Sequence, residues 1–191
     1  MRAAALLVLA GAGWMAEPRA VSAGDATADI SLEYGLLHDS DLEYTFGGPS
    51  VEAACRVYGW VYVSGEAAFS HHHQDYSSTQ GGTYKMWYES FQGGPRLSPL
   101  QGRVQPYAEV LVGATRLGIW ETQLDHSGEW GSWDLSLQPA VGVDVGLSRR
   151  FALRVSGDLR VLFRTDNRFD VGYRTKLYQV SAGIVLRLGG A

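Results

Sequence analysis

Over most of its length the chain divides into stretches in which apolar and polar side chains alternate one by one, separated by polar or glycine-rich gaps. The clearest runs over 151–164. Phe151, Leu153, Val155, Gly157, Leu159, Val161 and Phe163 share one parity, and Arg154, Ser156, Asp158, Arg160 and Arg164 share the other. A helix would mix the two sets, whereas a strand, whose side chains point to opposite faces in turn, keeps them apart. The same rule gives strands over 178–188, 134–147 and 104–115, and shorter ones over 30–36, 51–57 and 61–69. Pro139 falls on the apolar parity of its stretch and has no N–H for a ladder, which predicts a bulge nearby. The stretch 84–97 is the least regular, because Lys85 and Glu89 share parity with Trp87 and Phe91. That predicts a bulge or a shorter apolar section there.

Eight strands result, and the gaps between them alternate in length. Those at 38–49, 71–83, 118–131 and 165–173 read as long loops, while 58–60, 98–103 and 148–150 are shorter. Barrels that cross an outer membrane have long loops outside and tight turns inside. Tyr58 and Trp60 at one end, with Trp87, Trp120, Trp133 and Phe163 near the other, suit two interfacial aromatic girdles. The expected fold is therefore all-β: an eight-stranded antiparallel up-and-down transmembrane β-barrel. Alternation alone does not say which face turns inward. A soluble barrel of lipocalin type would have the opposite arrangement, apolar inside and polar outside.

Composition agrees with many turns and many interfacial aromatics: 24 Gly, 10 Tyr and 6 Trp stand against only 6 Pro. The mean hydropathy of -0.10 does not look like that of a helical membrane protein. The first residues read differently from the rest. Arg2 precedes an apolar run from Ala3 to Trp14, and Val21-Ser22-Ala23 offers the small side chains a signal peptidase reads. The run is shorter than the about 20 apolar residues of a membrane helix, and Glu17, Pro18 and Arg19 follow it. Residues 1–23 are accordingly expected to be a cleaved signal peptide, and 24–191 an outer-membrane barrel domain. Removing Arg2, Glu17 and Arg19 moves the net charge from -4 to -5, which argues against a nucleic-acid partner. Cys55 is the only cysteine, so there is no intramolecular disulfide, and its parity makes it a small apolar strand residue.

Gly93-Gly94-Pro95-Arg96-Leu97-Ser98, followed by Val104-Gln105-Pro106-Tyr107-Ala108-Glu109-Val110-Leu111-Val112-Gly113-Ala114, resembles the small outer-membrane β-barrel domain family, the group of the OmpA and OmpX barrels. Gly142-Val143-Asp144-Val145 and Ser181 to Leu188 are similar to it as well, and the likeness spans about 28–189. The motifs are short and mostly structural, so what the resemblance implies is a fold rather than an activity. The chain departs from the family in ending Gly189-Gly190-Ala191 instead of on an aromatic residue.

If the apolar parity faces lipid, the other parity fills the lumen. It places Glu33, Glu52, Glu66, Glu109, Asp144 and Asp158 inside with Arg56, Arg96, Arg154, Arg160 and Arg187. Six acids against five arginines is close to neutral, which predicts a paired, hydrogen-bonded polar core. A narrow ion path is the functional alternative for the same residues.

Other candidate chemistry is weaker. His71-His72-His73 invites a metal, yet neighbouring residues in an extended segment point different ways and no partner Cys or His lies at a fixed spacing. Asp125, His126 and Ser127 are consecutive, so on a strand they could not form a nucleophile–base pair. The presumed outer loops are acidic, with Asp39, Asp41, Glu43, Asp75, Glu121, Asp125, Glu129, Asp166 and Asp170 against Arg168. No cofactor, metal or catalytic site is expected. The function read from the sequence is a structural or surface-interaction barrel of a bacterial outer membrane. Its expected partners are membrane lipid, the barrel-assembly machinery and surface ligands of the four long loops. The alternative is a narrow channel or carrier for ions or small hydrophobic molecules. A lipid-modifying enzyme and a soluble lipocalin-like barrel come after these.

Overall fold

The computed structural model describes residues 28–76, 82–100, 102–123, 126–166 and 171–189. The signal-peptide segment 1–23 lies outside them. Eight strands follow one another: β1 (Ala28–Asp39), β2 (Tyr44–Tyr58), β3 (Val61–Tyr76), β4 (Gly82–Leu97), β5 (Val104–Gln123), β6 (His126–Gly146), β7 (Phe151–Asp166) and β8 (Val171–Leu188). Each pairs antiparallel with the next, and β1 pairs with β8, so the sheet closes into a barrel. Closure removes the unpaired edges that an open sheet would carry. The end at which β1 begins and β8 finishes is called the near end below, and the opposite one the far end.

Side chains on the inner face of so narrow a barrel crowd the neighbouring backbone. A Cβ on Gly94 would clash with the Val110 carbonyl oxygen, and one on Gly113 would clash with that of Phe91. Glycine at these positions lets β4 and β5 curl. At the far end of β1, Asp39 accepts the N–H groups of Asp41 (2.8 Å) and Leu42 (3.1 Å), and Glu43 adopts φ 59° to begin β2. At the near end Gly59, with φ 50°, supplies the left-handed turn between β2 and β3 that other residues rarely adopt.

The outward face decides between the two barrel types left open by the sequence. Leu32 (61%), Val141 (62%) and Val180 (65%) are among many apolar side chains exposed around the wall, and Arg96, Glu109, Arg154 and Arg160 are buried inside. A lipocalin-type arrangement is excluded. Trp120, Trp133 and Phe163 are exposed on the same outer face, as is Tyr58 at the near end. Cys55 is exposed and free on that face.

Three expectations are corrected. The ranges 38–49, 71–83, 118–131 and 165–173 are largely strand: β2 already begins at Tyr44, β3 runs to Tyr76, β5 to Gln123, and β6 starts at His126. The reason is an inversion of the pattern toward the far end. There Leu37, Phe46, Met86 and Leu177 turn inward, while their neighbours His38, Thr45, Lys85 and Lys176 face out. Second, Pro139 makes no bulge. Pairing with β7 lapses beside it, yet Leu137↔Val161 and Ala140↔Asp158 keep one register. Third, of the two alternatives for 84–97 the bulge is excluded and the shorter apolar section remains, because β4 pairs with β3 without a shift from Tyr76↔Gly82 to Val61↔Leu97. Lys85 and Glu89 both face outward, and Glu89 meets Arg116 of β5 at 3.8 Å. The register shift falls instead between Arg56 and Tyr58 of β2.

Candidate functional site

The lumen is built in layers. In the layer toward the near end, Arg154 of β7 reaches across the barrel. Its Nε and Nη2 donate to the two oxygens of Asp144 at 2.7 and 2.9 Å, a bidentate pair between register partners on β6 and β7. Its Nη1 donates to Glu52 at 2.8 Å and Ser31 at 3.1 Å, and lies 3.5 Å from Glu33. Arg96 of β4 lies 2.7 and 2.8 Å from the two Glu52 oxygens and donates through Nε to Glu109 at 3.0 Å. The Tyr107 ring underlies both guanidinium groups, its centroid 3.9 Å from Arg96 and 4.8 Å from Arg154. Glu33 accepts from Ser156 and Ser181 at 3.0 Å each, and Ser64 donates to Glu109 at 3.2 Å.

A second network lies nearer the far end. Arg160 of β7 donates to Gln138 at 2.8 Å, Ser90 at 3.0 Å and Glu66 at 3.2 Å. Beyond it the lumen turns apolar: Leu37, Phe46, Met86, Tyr88, Leu162 and Leu177 form one cluster, each at most 2% exposed. The Tyr88 hydroxyl donates to Asp39, which ties this cluster to the β1–β2 connection. Charged and hydrogen-bonding side chains occupy the middle of the lumen, and an apolar cluster caps its far end.

All eleven residues expected in the lumen lie on the inner face. The structure joins Glu33, Glu52, Arg96, Glu109, Asp144 and Arg154 in one network, and Glu66 and Arg160 in the other. Three behave differently from a simple pairing. Arg56 donates to the Tyr62 hydroxyl at 3.1 and 3.2 Å, and Arg187 to Gln105 at 2.9 Å, so neither bonds a carboxylate among the described residues. Asp158 accepts no hydrogen bond at Oδ1 from the described residues, although that atom is buried. The near balance of six acids and five arginines is therefore not realised as pairs: Glu33, Glu52, Glu66, Glu109 and Asp144 share the guanidinium groups of Arg96, Arg154 and Arg160. Asp39 and Asp134 are buried inside too. Sequence reasoning missed Tyr107 and the lumen serines and glutamines as structural partners, although their inward parity was legible. It also missed the apolar cap.

The remaining candidates separate. His71 is exposed on the outer face, beside Phe69. His72 turns inward, stacks on Tyr44 at 4.8 Å and donates through Nδ1 to the Thr45 carbonyl at 2.9 Å. The side chains of His73, Asp75, Glu121, His126, Ser127, Glu129 and Asp166 lie outside the described residues, as do Asp125, Arg168 and Asp170 altogether. Among the described residues no group of three or more His, Cys, Asp or Glu could hold a metal.

No protein-family model matches the chain, and no curated protein matches it in sequence. Solved structures do match it in fold. Ail, the attachment invasion locus protein of Yersinia pestis, is 16% identical, with a TM-score of 0.59 over 86% of this chain and 99% of that one. Neisserial surface protein A is 12% identical, with a TM-score of 0.60 over 85% and 96%. A major outer membrane protein from Thermus thermophilus is 12% identical, with a TM-score of 0.62 over 84% and 99%. The chain has the fold of the small eight-stranded outer-membrane barrels.

Proposed function

We propose that the protein is a bacterial outer-membrane barrel with a sealed lumen, serving a structural or surface-interaction role through its far end. One observation carries this reading: the apolar side chains face outward around the wall, while the inside is filled by hydrogen-bonded charges and capped by Leu37, Phe46 and Met86. An apolar belt of that extent is stable in hydrocarbon and aggregation-prone in water. The strands have 12 to 21 residues, whereas about 10 span the hydrocarbon at the usual tilt. The surplus stands at the far end, where the polarity of the wall inverts. The segments 38–49, 71–83, 118–131 and 165–173 are then the surfaces that meet ligands outside the cell. Their chemistry is acidic more than basic. Export through a cleaved signal peptide of residues 1–23 and insertion by the barrel-assembly machinery complete the reading. It assigns no catalysis and no cofactor.

The test is planar-bilayer recording of the refolded mature chain, together with gel migration before and after boiling. Heat-dependent migration without steady current is the expected result. Discrete openings would replace the sealed barrel with the channel reading. Failure to enter lipid would overturn the membrane placement itself.

A further inference from the structure

Between the two networks lies a level of the lumen at which several buried polar atoms have no hydrogen-bond partner among the described residues. Asp158 of β7 and Gln179 of β8 are register partners on one wall, and Glu66 of β3 and Gln92 of β4 are register partners on the wall opposite. Both pairs are bracketed by the same neighbours. Two residues along β7 from Asp158, Arg160 crosses to Glu66 and to Ser90, the inward residue next to Gln92 on β4. On the other side, Ser156 and Ser181, next inward from Asp158 and Gln179, hold Glu33. Within that bracket Asp158 Oδ1, both amide atoms of Gln92 and the Gln179 Oε1 are buried with no hydrogen-bond partner among the described residues. Gln92 is 6% exposed and Gln179 5%. Gln179 lays its amide nitrogen over Gly35, 2.7 Å from where a Cβ would be, and its oxygen lies farther off.

We propose that this level binds a single monovalent inorganic cation, ligated by Asp158 and by the carboxamide oxygens of Gln92 and Gln179. Arg160 spends its donors on Glu66, Gln138 and Ser90, which leaves Asp158 as the carboxylate of this level with no guanidinium contact among the described residues. A carboxylate with one oxygen buried and unpartnered, in a lumen that already holds more carboxylates than the guanidinium groups they share, calls for a positive charge. A proton on Asp158 would remove the charge but could serve only one of the orphaned acceptors. A water alone would serve the acceptors but leave the charge. A monovalent cation serves the charge and the three orphaned oxygens; Gln92 Nε2, a donor, is the one orphaned atom of this level that it does not serve. One carboxylate with neutral carbonyl oxygens is a hard-oxygen set of low total charge. With Glu66 held by Arg160, Asp158 is the one carboxylate of this level left for a divalent ion, fewer than such an ion takes.

The experiment is thermal unfolding of the refolded chain in detergent at pH 8, in NaCl, KCl and choline chloride of equal ionic strength. The expected result is a saturable rise in Tm with Na+ or K+ that choline does not give. Asp158→Asn and Gln92→Leu should each abolish the cation-dependent part. Crystals soaked in thallium(I) should show an anomalous peak between Asp158 and Gln92. Equal melting in the three salts, or a cation effect that persists in both variants, would overturn the proposal. So would a thallium soak that leaves only water at this level. Asp158→Asn is nearly isosteric; should it still fail to fold, Gln92→Leu carries the test alone. None of these outcomes depends on whether the barrel conducts, so the sealed-lumen reading stands or falls separately.

Discussion

Replacing Arg154 with Leu removes the centre of the lumen network, and the structure fixes how costly that should be. Three short bonds go at once, two to Asp144 (2.7 and 2.9 Å) and one to Glu52 (2.8 Å), together with the Ser31 contact and the face of Tyr107. Leu restores part of the volume but no charge. Breaking one buried ion pair by removing a single partner costs about 3–5 kcal/mol, because the other charge stays behind unpaired. Glu52 keeps Arg96, and Glu33 loses only a 3.5 Å contact and keeps the hydroxyls of Ser31, Ser156 and Ser181, so Asp144 is the carboxylate left bare. One such penalty, about 3–5 kcal/mol, is the expected loss. Arg160→Leu is the internal control. Arg160 bonds two neutral side chains and meets a single carboxylate at the longer distance of 3.2 Å. Its loss also strips that one buried carboxylate, Glu66, of its guanidinium, but Gln138 still donates to Glu66 at 3.4 Å, so the cost should fall at the low end of the same range, about 3 kcal/mol. Urea unfolding of refolded barrels in detergent, followed by tryptophan fluorescence, measures both. Both variants should still insert into membranes, since neither touches the outer face. An Arg154→Leu barrel within about 1 kcal/mol of the parent would refute the reasoning. So would an Arg160→Leu barrel that proves the less stable of the two.

Other outcomes follow from the same geometry. Gly94→Ala should destabilise by about 2 kcal/mol or more, because its Cβ meets the Val110 carbonyl, whereas Gly65→Ala, with nothing nearer than 3.8 Å, should be tolerated; equal unfolding midpoints would contradict this. Val141→Arg, in the middle of the outer belt, should cost about 2–4 kcal/mol in a bilayer, and no loss there would argue against lipid contact. Phe46→Ala should cost about 3–5 kcal/mol by opening a cavity in the far-end cap; bilayer recording then shows whether the cap is what keeps current from flowing. Mass spectrometry of the chain recovered from an exporting bacterium should find Gly24 at the N-terminus, and an intact Met1 would remove the signal peptide from the account.

Much of the barrel was legible in the sequence because one physical rule governs its central part. Where lipid-facing and lumen-facing residues alternate, parity alone separates Leu153, Val155 and Leu159 from Arg154, Ser156 and Asp158, and it placed every one of the eleven lumen candidates on a common face. Eight such stretches gave the strand count. The rule fails where its cause ends. Toward the far end the outer face carries His38, Lys85 and Lys176 while Leu37, Met86 and Leu177 pack inside, so the pattern inverts and strand was read as loop. The expected contrast of long and short connections vanished with it.

Three things were decided only by the closed tertiary structure. Which parity is inward depends on the direction in which the sheet curls, and alternation is indifferent to that. Who pairs with whom depends on strands far apart in sequence. Arg154 finds Asp144 next door on β6 but Glu52 on β2 across the lumen, while Arg56 and Arg187 settle on Tyr62 and Gln105 at the near end. A charge count treats all arginines as equal partners, and geometry does not. Finally, the layering itself, with an apolar cap above charged networks and an unpartnered level between them, arises from the register of eight strands around one axis. Each strand contributes one or two side chains to a layer, so no single stretch of sequence contains it.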